Sequence, residues 1–455
     1  MSRRTLSLVV ALVLGFAARD AGAAGFSLDT QSARTVGMCA AVTGMIDDSS
    51  AIFFNPAGIA QGKVLDAIVS GQLILPSSTY TNPSGVSTTT PFRAVPPIAG
   101  YVSGGITKDL SAGIGMFTPY GLTIGWPQGW EGRSQITYAS LATYDINPTL
   151  AYKLGPVRIG AGVQIMYATV DLQKDIALPG GTYGSSQLGA DAWGVGGNVG
   201  VQVEAIPKVL SFGLAYRSTV VLNFDGAAHF EGIPQTLQGT LHDQPGTSRF
   251  VLPDSLSFGV AVRPVPKLVI DADLVYYGWD YFRSIDINFP NDTTGSLSSS
   301  QSKRWNNVAN VHLGMELGLG DAWALRAGAM VDPTPSPSDT LTPDLPDSTR
   351  LAFSIGGGYK HKSGLRLDLG YELVLLLSRT STAPQLPGDY SGFANILSVG
   401  IGWSTSPPNA SQTLNAPPPP PPESAPPPPE SAPPPPPESA PPPPATPPPE
   451  YTPPP

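Results

Sequence analysis

The sequence predicts an all-β protein in which fourteen antiparallel strands close into a transmembrane β-barrel. Two observations predict this class: apolar and polar residues alternate along most of the chain, and few residues are charged. Charged residues make up 13% of the 455 positions, against about 25% in ordinary soluble domains. Glycine contributes 50 residues. This composition is typical of strands that turn one face to lipid and the other to a polar lumen.

The alternation is clearest in "GLRLDLGYELVL", residues 364–375. One parity carries five leucines and Tyr371, and the other carries Arg366, Asp368 and Glu372. Side chains of a strand point alternately to two faces, so this period of two separates an apolar face from a charged one. A soluble sandwich would pack the leucines on a second sheet, whereas a membrane barrel would expose them to lipid. The segment alone leaves both architectures open.

The same alternation recurs along the body of the chain and gives fourteen candidate strands. They lie near residues 64–75, 96–105, 109–117, 141–154, 156–171, 190–205, 209–223, 254–263, 267–283, 305–318, 321–331, 349–360, 364–377 and 392–403. Short turns such as 153–156 join some neighbours, and long polar stretches such as 284–303 join others. Outer-membrane barrels have even strand numbers, short periplasmic turns and long outer loops. We therefore interpret residues 64–403 as a membrane barrel.

Aromatic residues near the strand ends are a further sign of a membrane barrel. Tyr276, Tyr277, Trp279 and Trp403 lie where apolar runs stop. Aromatic girdles mark the two membrane interfaces of outer-membrane barrels, although the same residue types also pack soluble cores. The barrel interpretation predicts that these rings lie at the interfaces.

The two ends of the chain do not follow the barrel pattern. Residues 1–23 have the positive start, apolar run and small-residue cleavage site of a secretory signal peptide. Residues 24–63 lack sustained alternation, and we expect them to form an N-terminal hatch, or plug. Residues 404–455 are rich in proline and contain glutamate but no lysine or arginine. We expect this part to be a disordered periplasmic tail that favours polyproline II.

Several long stretches together carry a family resemblance. They include "AGFSLDTQSARTVGMCAAVTGMIDDSSAIFFNPAG", "TPYGLTIGWPQGWEGRSQITYASLATYDINPTLAYKL" and "WALRAGAMVDPTPSPSDTLTPDLPDSTRLAFSIGGGY". In this order they resemble the FadL-type family of outer-membrane transport proteins, which contains long-chain fatty acid channels and aromatic-hydrocarbon channels. The resemblance implies a monomeric outer-membrane channel for passive uptake of a hydrophobic small molecule. Outer-membrane lipid and lipopolysaccharide would surround it.

The resemblance also implies where such a channel is gated. Asn55-Pro56-Ala57 matches the family's hatch motif, whose asparagine packs near a kink in the third strand. Substrate leaves sideways through a gap beside that kink. Here we expect the kink around Pro119, which removes a ladder donor, and Gly121, which relaxes the backbone. Taken alone, an Asn-Pro pair favours an ordinary loop turn.

Substrate contacts are assigned by the same resemblance. In fatty-acid members a basic side chain after the fifth-strand "YA" helps to hold the carboxylate, and Lys174 falls at that place, although a solvated loop lysine fits the sequence as well. A second basic position falls near Gln301, with Lys303 close by, so the carboxylate clamp is left open. The expected apolar lining consists of Phe53, Phe54, Phe117 and Trp126.

No constellation in the sequence indicates an enzyme. The four histidines occur without a recognisable nucleophile motif, and no metal-ligand cluster stands out. The stretch "GVGGNVG" at 194–200 misses the dinucleotide-binding spacing. We expect no catalytic residue, no cofactor and no metal. The net charge of -9 argues against nucleic-acid binding, which requires a basic surface.

A structural role is the alternative to transport. In that hypothesis the barrel anchors residues 404–455, and this tail docks a periplasmic partner or peptidoglycan. A general porin is a third hypothesis, which a hatch-like segment disfavours. Alternation does not distinguish a fatty acid from an alkane or an aromatic hydrocarbon, so the sequence leaves the substrate class open.

Overall fold

The fold is a closed antiparallel β-barrel, seen in a computed structural model that describes residues 25–292, 297–405 and 446. The predicted signal peptide and nearly all of the predicted tail lie outside these residues. The strands are β1 (Leu65–Thr81), β2 (Ser87–Thr89), β3 (Ile98–Gly105), β4 (Leu110–Phe117), β5 (Gly121–Gly125), β6 (Tyr138–Leu154), β7 (Val157–Ala177), β8 (Tyr183–Ile206), β9 (Leu210–Arg217), β10 (Val220–Glu231), β11 (Gln244–Leu252), β12 (Ser255–Val265), β13 (Leu268–Tyr277), β14 (Ser284–Asn288), β15 (Ser299–Ser302), β16 (Val308–Leu319), β17 (Trp323–Asp332), β18 (Arg350–Lys360), β19 (Leu365–Ser381) and β20 (Gly388–Thr405).

The first and last strands close the barrel. β1 pairs with β20 in one uninterrupted register, from Leu65 opposite Thr405 to Thr81 opposite Asp389. Six wall strands consist of two segments separated by a short break, namely β2 with β3, β4 with β5, β9 with β10, β11 with β12, β13 with β14, and β15 with β16. Counted in this way, the wall has fourteen antiparallel strands, which confirms the predicted fold class.

The predicted alternation produces the two faces of the wall. On β19, Leu369 is 60% exposed and Glu372 is 5% exposed. On β8, Val195 is 69% exposed, whereas Gln202 is fully buried. The apolar parity therefore points outward to lipid and the polar parity points into the barrel, as expected for an outer-membrane barrel.

The N-terminal segment, residues 25–63, contains only short helical pieces. A helix at Ala33–Val36 begins where the Ser32 hydroxyl accepts a hydrogen bond from the Thr35 amide, which satisfies one free donor of its first turn. A second helix spans Ala51–Phe54, and a 3₁₀ turn spans Pro56–Ile59. Among the described residues, no helix is long and apolar enough to cross a membrane.

This N-terminal segment lies inside the barrel, because it is bonded to inward-facing wall residues. The amides of Val42 and Thr43 both donate to the Asp273 carboxylate of β13, each at 2.9 Å. The amide of Cys39 donates to the Ser354 hydroxyl of β18 at 2.9 Å. Polar inward residues of the wall thus satisfy backbone donors of a segment that lacks regular structure of its own.

Ion pairs fix the middle of the N-terminal segment to the wall. Arg34 contacts Asp48 at 2.9 Å and Glu316 of β16 at 3.0 Å, and Glu316 also binds Arg326 of β17 at 2.6 Å. Burial opposes ionisation of Asp48, but the charge of Arg34 outweighs it and lowers the Asp48 pKa to about 2. These charges form one network that includes both the segment and two neighbouring strands.

The girdle prediction is wrong for two of its four aromatics. Tyr277 is buried and donates to the Asp29 carboxylate at 3.0 Å, and Trp279 is fully buried against Phe26, with ring centroids 4.8 Å apart. Tyr277 has the opposite parity to the outward Tyr276, and Trp279 lies in the 3₁₀ turn that follows β13. Tyr276 and Trp403 are exposed on the outer face, as predicted.

Candidate functional site

The third wall strand is broken between β4 and β5. The ladder between the second and third strands stops at Gly100 and Met116. Beyond that point β5 pairs with β6, and in the described residues no wall strand pairs with its other edge. Residues 90–97 of the second strand and Gly121–Gly125 therefore form two unzipped edges of the wall.

Proline helps to keep one of these edges open. Val95 exchanges two backbone hydrogen bonds with Ile74 of β1, both 2.9 Å long. Backbone donors of consecutive strand residues point to opposite sides, so the nitrogen of Pro96 faces away from β1 and toward the break. Proline has no N–H, so this position donates nothing to a neighbouring strand.

One side chain spans the outer part of the break. The guanidinium of Arg93 lies 4.8 Å from the ring centroid of Tyr138 on β6. It also lies against Gly125 of β5, where an added Cβ would be 2.8 Å from the Arg93 Nη2. The Arg93 cation of the second strand thus contacts residues on the opposite side of the break.

The start of the N-terminal segment covers the broken strand. The Leu28 amide donates to the Pro119 carbonyl at 2.9 Å, and the Gly121 amide donates to the Phe26 carbonyl at 3.0 Å. A Cβ at position 121 would be 2.9 Å from the Leu28 side chain, so glycine permits this close approach. Two of the backbone groups freed by the break, the Pro119 carbonyl and the Gly121 amide, are thereby satisfied by residues 26–28.

A small cavity lies beside the break. Its volume is about 50 Å³, and its lining includes Phe53, Phe54, Pro119, Tyr120, Arg217 and Tyr277. Pockets that hold drug-sized ligands have volumes of about 300–1,000 Å³. A ligand of that size does not fit in a cavity of this volume.

Arg217 is the buried charge of this cavity. Its guanidinium donates to the Asp145 carboxylate at 3.2 Å, to the Gln164 side-chain oxygen at 2.6 Å and to the Phe53 carbonyl at 3.1 Å. It also lies 5.0 Å from the ring centroid of Phe53 and 5.4 Å from that of Phe117. The charge is paired with Asp145 and lies near two aromatic rings, and the bond to the Phe53 carbonyl links β9 to the N-terminal segment.

Arg217 was not among the residues that the sequence predicted for the site. The stretch "SFGLAYR" carried the signal, because the inward residues before Arg217 on β9 are Ser211, Gly213 and Ala215. An arginine that follows small inward residues has room to extend over them. Arginine is also unusual at an inward position against which the N-terminal segment packs. Parity alone did not show which charge would meet the hatch phenylalanines.

The predicted hatch motif lies on a different part of the wall from the break. Asn55 is fully buried, and its amide nitrogen donates to the carbonyls of Thr43 at 3.2 Å and Val201 of β8 at 3.0 Å. Pro56 and Ala57 pack over Gly160, where an added Cβ would be 2.4 Å from the Pro56 carbonyl carbon. The hydrogen bonds of Asn55 thus reach β8 rather than the third strand.

The predicted apolar residues divide into two groups. Phe53, Phe54 and Phe117 come together, with ring centroids 4.8 Å apart for Phe53 and Phe54 and 5.3 Å apart for Phe53 and Phe117. Trp126 instead stacks on Trp130 at 4.3 Å and donates to the Pro343 carbonyl at 3.0 Å. Three of the four predicted rings therefore meet at the third-strand break, and the fourth packs outer loops.

The two predicted lysines do not line the cavity. Lys174 is exposed on β7. Lys303 is buried, and its ammonium donates to Thr342 at 2.7 Å and Asp344 at 2.8 Å. Burial lowers the pKa of Lys303, and Asp344 opposes that change. In the described part of the chain no cluster of three or more histidine, cysteine or acidic side chains is arranged to hold a metal ion.

The barrel matches a known family of proteins. The profile of the family described as "Outer membrane protein transport protein (OMPP1/FadL/TodX)" matches residues 14–404. The "Long-chain fatty acid transport protein" of Escherichia coli K12 is 24% identical over 417 residues, which cover 81% of this chain and 92% of that protein.

Two solved structures have the same fold. A FadL homologue from Pseudomonas aeruginosa superimposes with a TM-score of 0.75 at 18% identity, covering 84% of this chain and 99% of that one. The toluene transporter TodX of Pseudomonas putida gives a TM-score of 0.68 at 16% identity, covering 84% of this chain and all of TodX. At these identities the structural likeness concerns the fold.

Proposed function

Because the chain belongs to the OMPP1/FadL/TodX family of outer-membrane transport proteins, we propose that it is a passive channel for hydrophobic compounds whose residues 24–63 act as a hatch. The observation that carries this proposal is the broken third strand, which borders an aromatic cavity and is covered by residues 26–28. The proteins it resembles are transport channels rather than enzymes. Of the predicted residues, Phe53 and Phe54 would line the cavity, and Pro119 and Gly121 would form the gate.

The proposed route leaves the barrel sideways. A hydrophobic compound enters from the outer face, occupies the cavity once Phe53 and residues 26–28 move, and passes between the second and third strands into the membrane. Sideways exit keeps the compound out of water, where each exposed CH₂ costs about 0.8 kcal/mol. Pro119 and Gly121 leave few ladder bonds to break along this route, and Asn55-Pro56-Ala57 would hold the hatch against β7 and β8.

The substrate class follows from the charge of the cavity. Arg217 is the single lysine or arginine among the lining residues, and Asp145 already neutralises it. Neither Lys174 nor Lys303 supplies a free cation there. Within the proposed range of long-chain fatty acids and hydrocarbons, this arrangement favours a neutral hydrocarbon, because a carboxylate would enter without an unpaired cation to receive it.

Uptake by cells that lack their own channel tests transport. We expect the intact protein to raise uptake of labelled toluene, and to raise uptake of labelled long-chain fatty acid by a smaller factor. Removing residues 406–455 is expected to leave both rates unchanged. Uptake no faster than in cells without the protein, with the barrel present in the outer membrane, would contradict transport. Loss of uptake only in the shortened chain would favour the alternative in which the tail docks a periplasmic partner.

A reversible lock tests the hatch separately. Ser27 and Tyr120 face each other between two hydrogen bonds of the short antiparallel contact. Such pairs have Cα atoms about 4.5 Å apart, which suits a disulfide. We expect Ser27→Cys/Tyr120→Cys to block uptake when oxidised and to restore it after reduction. The two single variants control for loss of the native side chains. Equal uptake by the oxidised and reduced double variant would refute the hatch while leaving transport intact.

A further inference from the structure

A second, larger cleft opens at the end of the barrel where the strands are joined by short turns. Its volume is about 580 Å³. The lining combines basic residues with apolar ones, namely Arg158, Lys208, Arg263, Met45, Val209 and Val265. Short turns mark the periplasmic end of outer-membrane barrels. The cleft therefore lies at the periplasmic mouth of the lumen, under the N-terminal segment.

Two of its basic residues belong to the inner face of the wall. Arg158 on β7 shares the parity of Gly160, which packs against the N-terminal segment. Arg263 on β12 shares the parity of the fully buried Ala261. Both side chains therefore start from lumen-facing positions, rather than from the lipid face where an arginine would be costly.

The acids of the cleft only partly match its positive charges. Among the described residues, neither Arg158 nor Arg263 has an acidic partner within 4 Å. The cleft also contains Asp47 and Glu204, which attract Arg158. Asp47 is already paired with Arg34 at 2.6 Å, whereas Glu204 accepts from the neutral Lys208 amide and keeps its charge. Glu204 alone therefore faces Arg158, Arg263 and Lys208. Two arginines confined together repel each other, and an anion between them would remove that cost.

We propose that this cleft is a binding site for an amphipathic anion. Arg158 and Arg263 hold its carboxylate or phosphate, because a guanidinium presents paired donors that match either group. The apolar part of the ligand lies against Met45 and Val265. Lys208, exposed at the mouth, attracts the anion from the periplasm.

Two sources offer this chemistry at the periplasmic mouth. A free fatty acid carries a carboxylate on an apolar chain, and a phospholipid of the periplasmic leaflet carries a phosphate on one. The proposal does not rest on transport through the cavity at the third strand, since the two sites have separate linings.

Photolabelling of the full-length protein in a non-ionic detergent locates the ligand. The probes are decanoate and a phosphatidylglycerol, each with a diazirine on the alkyl chain, and decanol with the same group as an uncharged control. We expect mass spectrometry to find label on peptides that contain Met45 or Val265. Arg158→Gln/Arg263→Gln should lower that labelling by about tenfold or more, because two charge-assisted contacts are lost.

Matched controls separate this site from general charge effects and from the cavity. Lys153→Gln/Lys362→Gln removes two exposed cations at the same end, one at the end of β6 and one in the turn before β19, and should leave the labelling unchanged. Stronger labelling by decanoate assigns the site to free carboxylates, and stronger labelling by the phospholipid assigns it to lipid phosphate. Equal labelling by decanol, or undiminished labelling of the double-arginine variant, overturns the proposal. No lysine or arginine separates Met45 from Phe53, so fragmentation must assign the label to a residue, and label on Phe53 then reports the cavity independently.

Discussion

The two parts of the N-terminal segment are held to the barrel by different forces. Residues 34–48 are tied to the wall by buried ion pairs, from Arg34 to Glu316 of β16 and from Asp48 to Arg366 of β19. Phe26, at the start, is instead packed among aromatic rings, with centroids 4.8 Å from Trp279 and 5.8 Å from Trp305. A hydrophobic ligand competes for aromatic contacts but offers nothing to a buried ion pair. The difference indicates a segment with one fixed part and one part that a hydrophobic compound can displace.

Removing the fixed attachment should have the largest effect. Arg34→Ala leaves Asp48 and Glu316 buried with less positive charge, which costs about 3–5 kcal/mol for a broken buried pair. We expect residues 34–48 to become sensitive to a protease that does not cut the intact protein, as measured by mass spectrometry of the fragments.

A matched exposed pair sharpens that test. Arg304 and Asp339 are both about half exposed, and such pairs contribute roughly 0–1 kcal/mol. Arg304→Ala should therefore leave the protease pattern unchanged. If Arg34→Ala is as resistant as Arg304→Ala, the ion pairs do not anchor the segment.

Weakening the displaceable part should have a smaller and more selective effect. Phe26→Ala removes a buried ring from the aromatic cluster, a change that costs about 3 kcal/mol in a core. We expect faster uptake of hydrophobic compounds, because residues 26–28 then leave the third strand more often. Protease resistance of residues 34–48 should be retained. Unchanged uptake in a folded Phe26→Ala protein would argue against displacement of this part.

The smallest effect is expected at the outer part of the wall break. Arg93→Ala removes a cation–π contact worth about 0.5–1 kcal/mol at an exposed site, so uptake should rise by roughly two- to fivefold if that contact holds the edges together. Arg133 lies 3.6 Å from the Tyr183 ring centroid and lines no part of the break, so Arg133→Ala is the matched control. Equal rates in both variants would show that Arg93 does not bridge the opening.

The sequence predicted the wall better than the contacts inside it. Alternation at positions such as Leu369 and Glu372 reports which face a residue occupies, and that was enough to count fourteen strands. It does not report which inward residues contact each other across the lumen, because those contacts depend on the path of the N-terminal segment, which has no periodicity. Lys303 shows the limit: its position in the chain suggested a ligand contact, whereas its ammonium is bonded to Asp344 in an outer loop.

The unzipped edge at residues 90–97, opposite β5, has a consequence for assembly. A strand edge with free donors and acceptors is a template for pairing with other chains, and such pairing leads to aggregation. A newly exported barrel protein meets many partly folded strands before it reaches its membrane. Because Pro96 has no N–H, a strand from another chain cannot form a complete hydrogen-bond ladder at this edge. Pro96 therefore helps to keep the wall open and also disfavours mispairing before insertion.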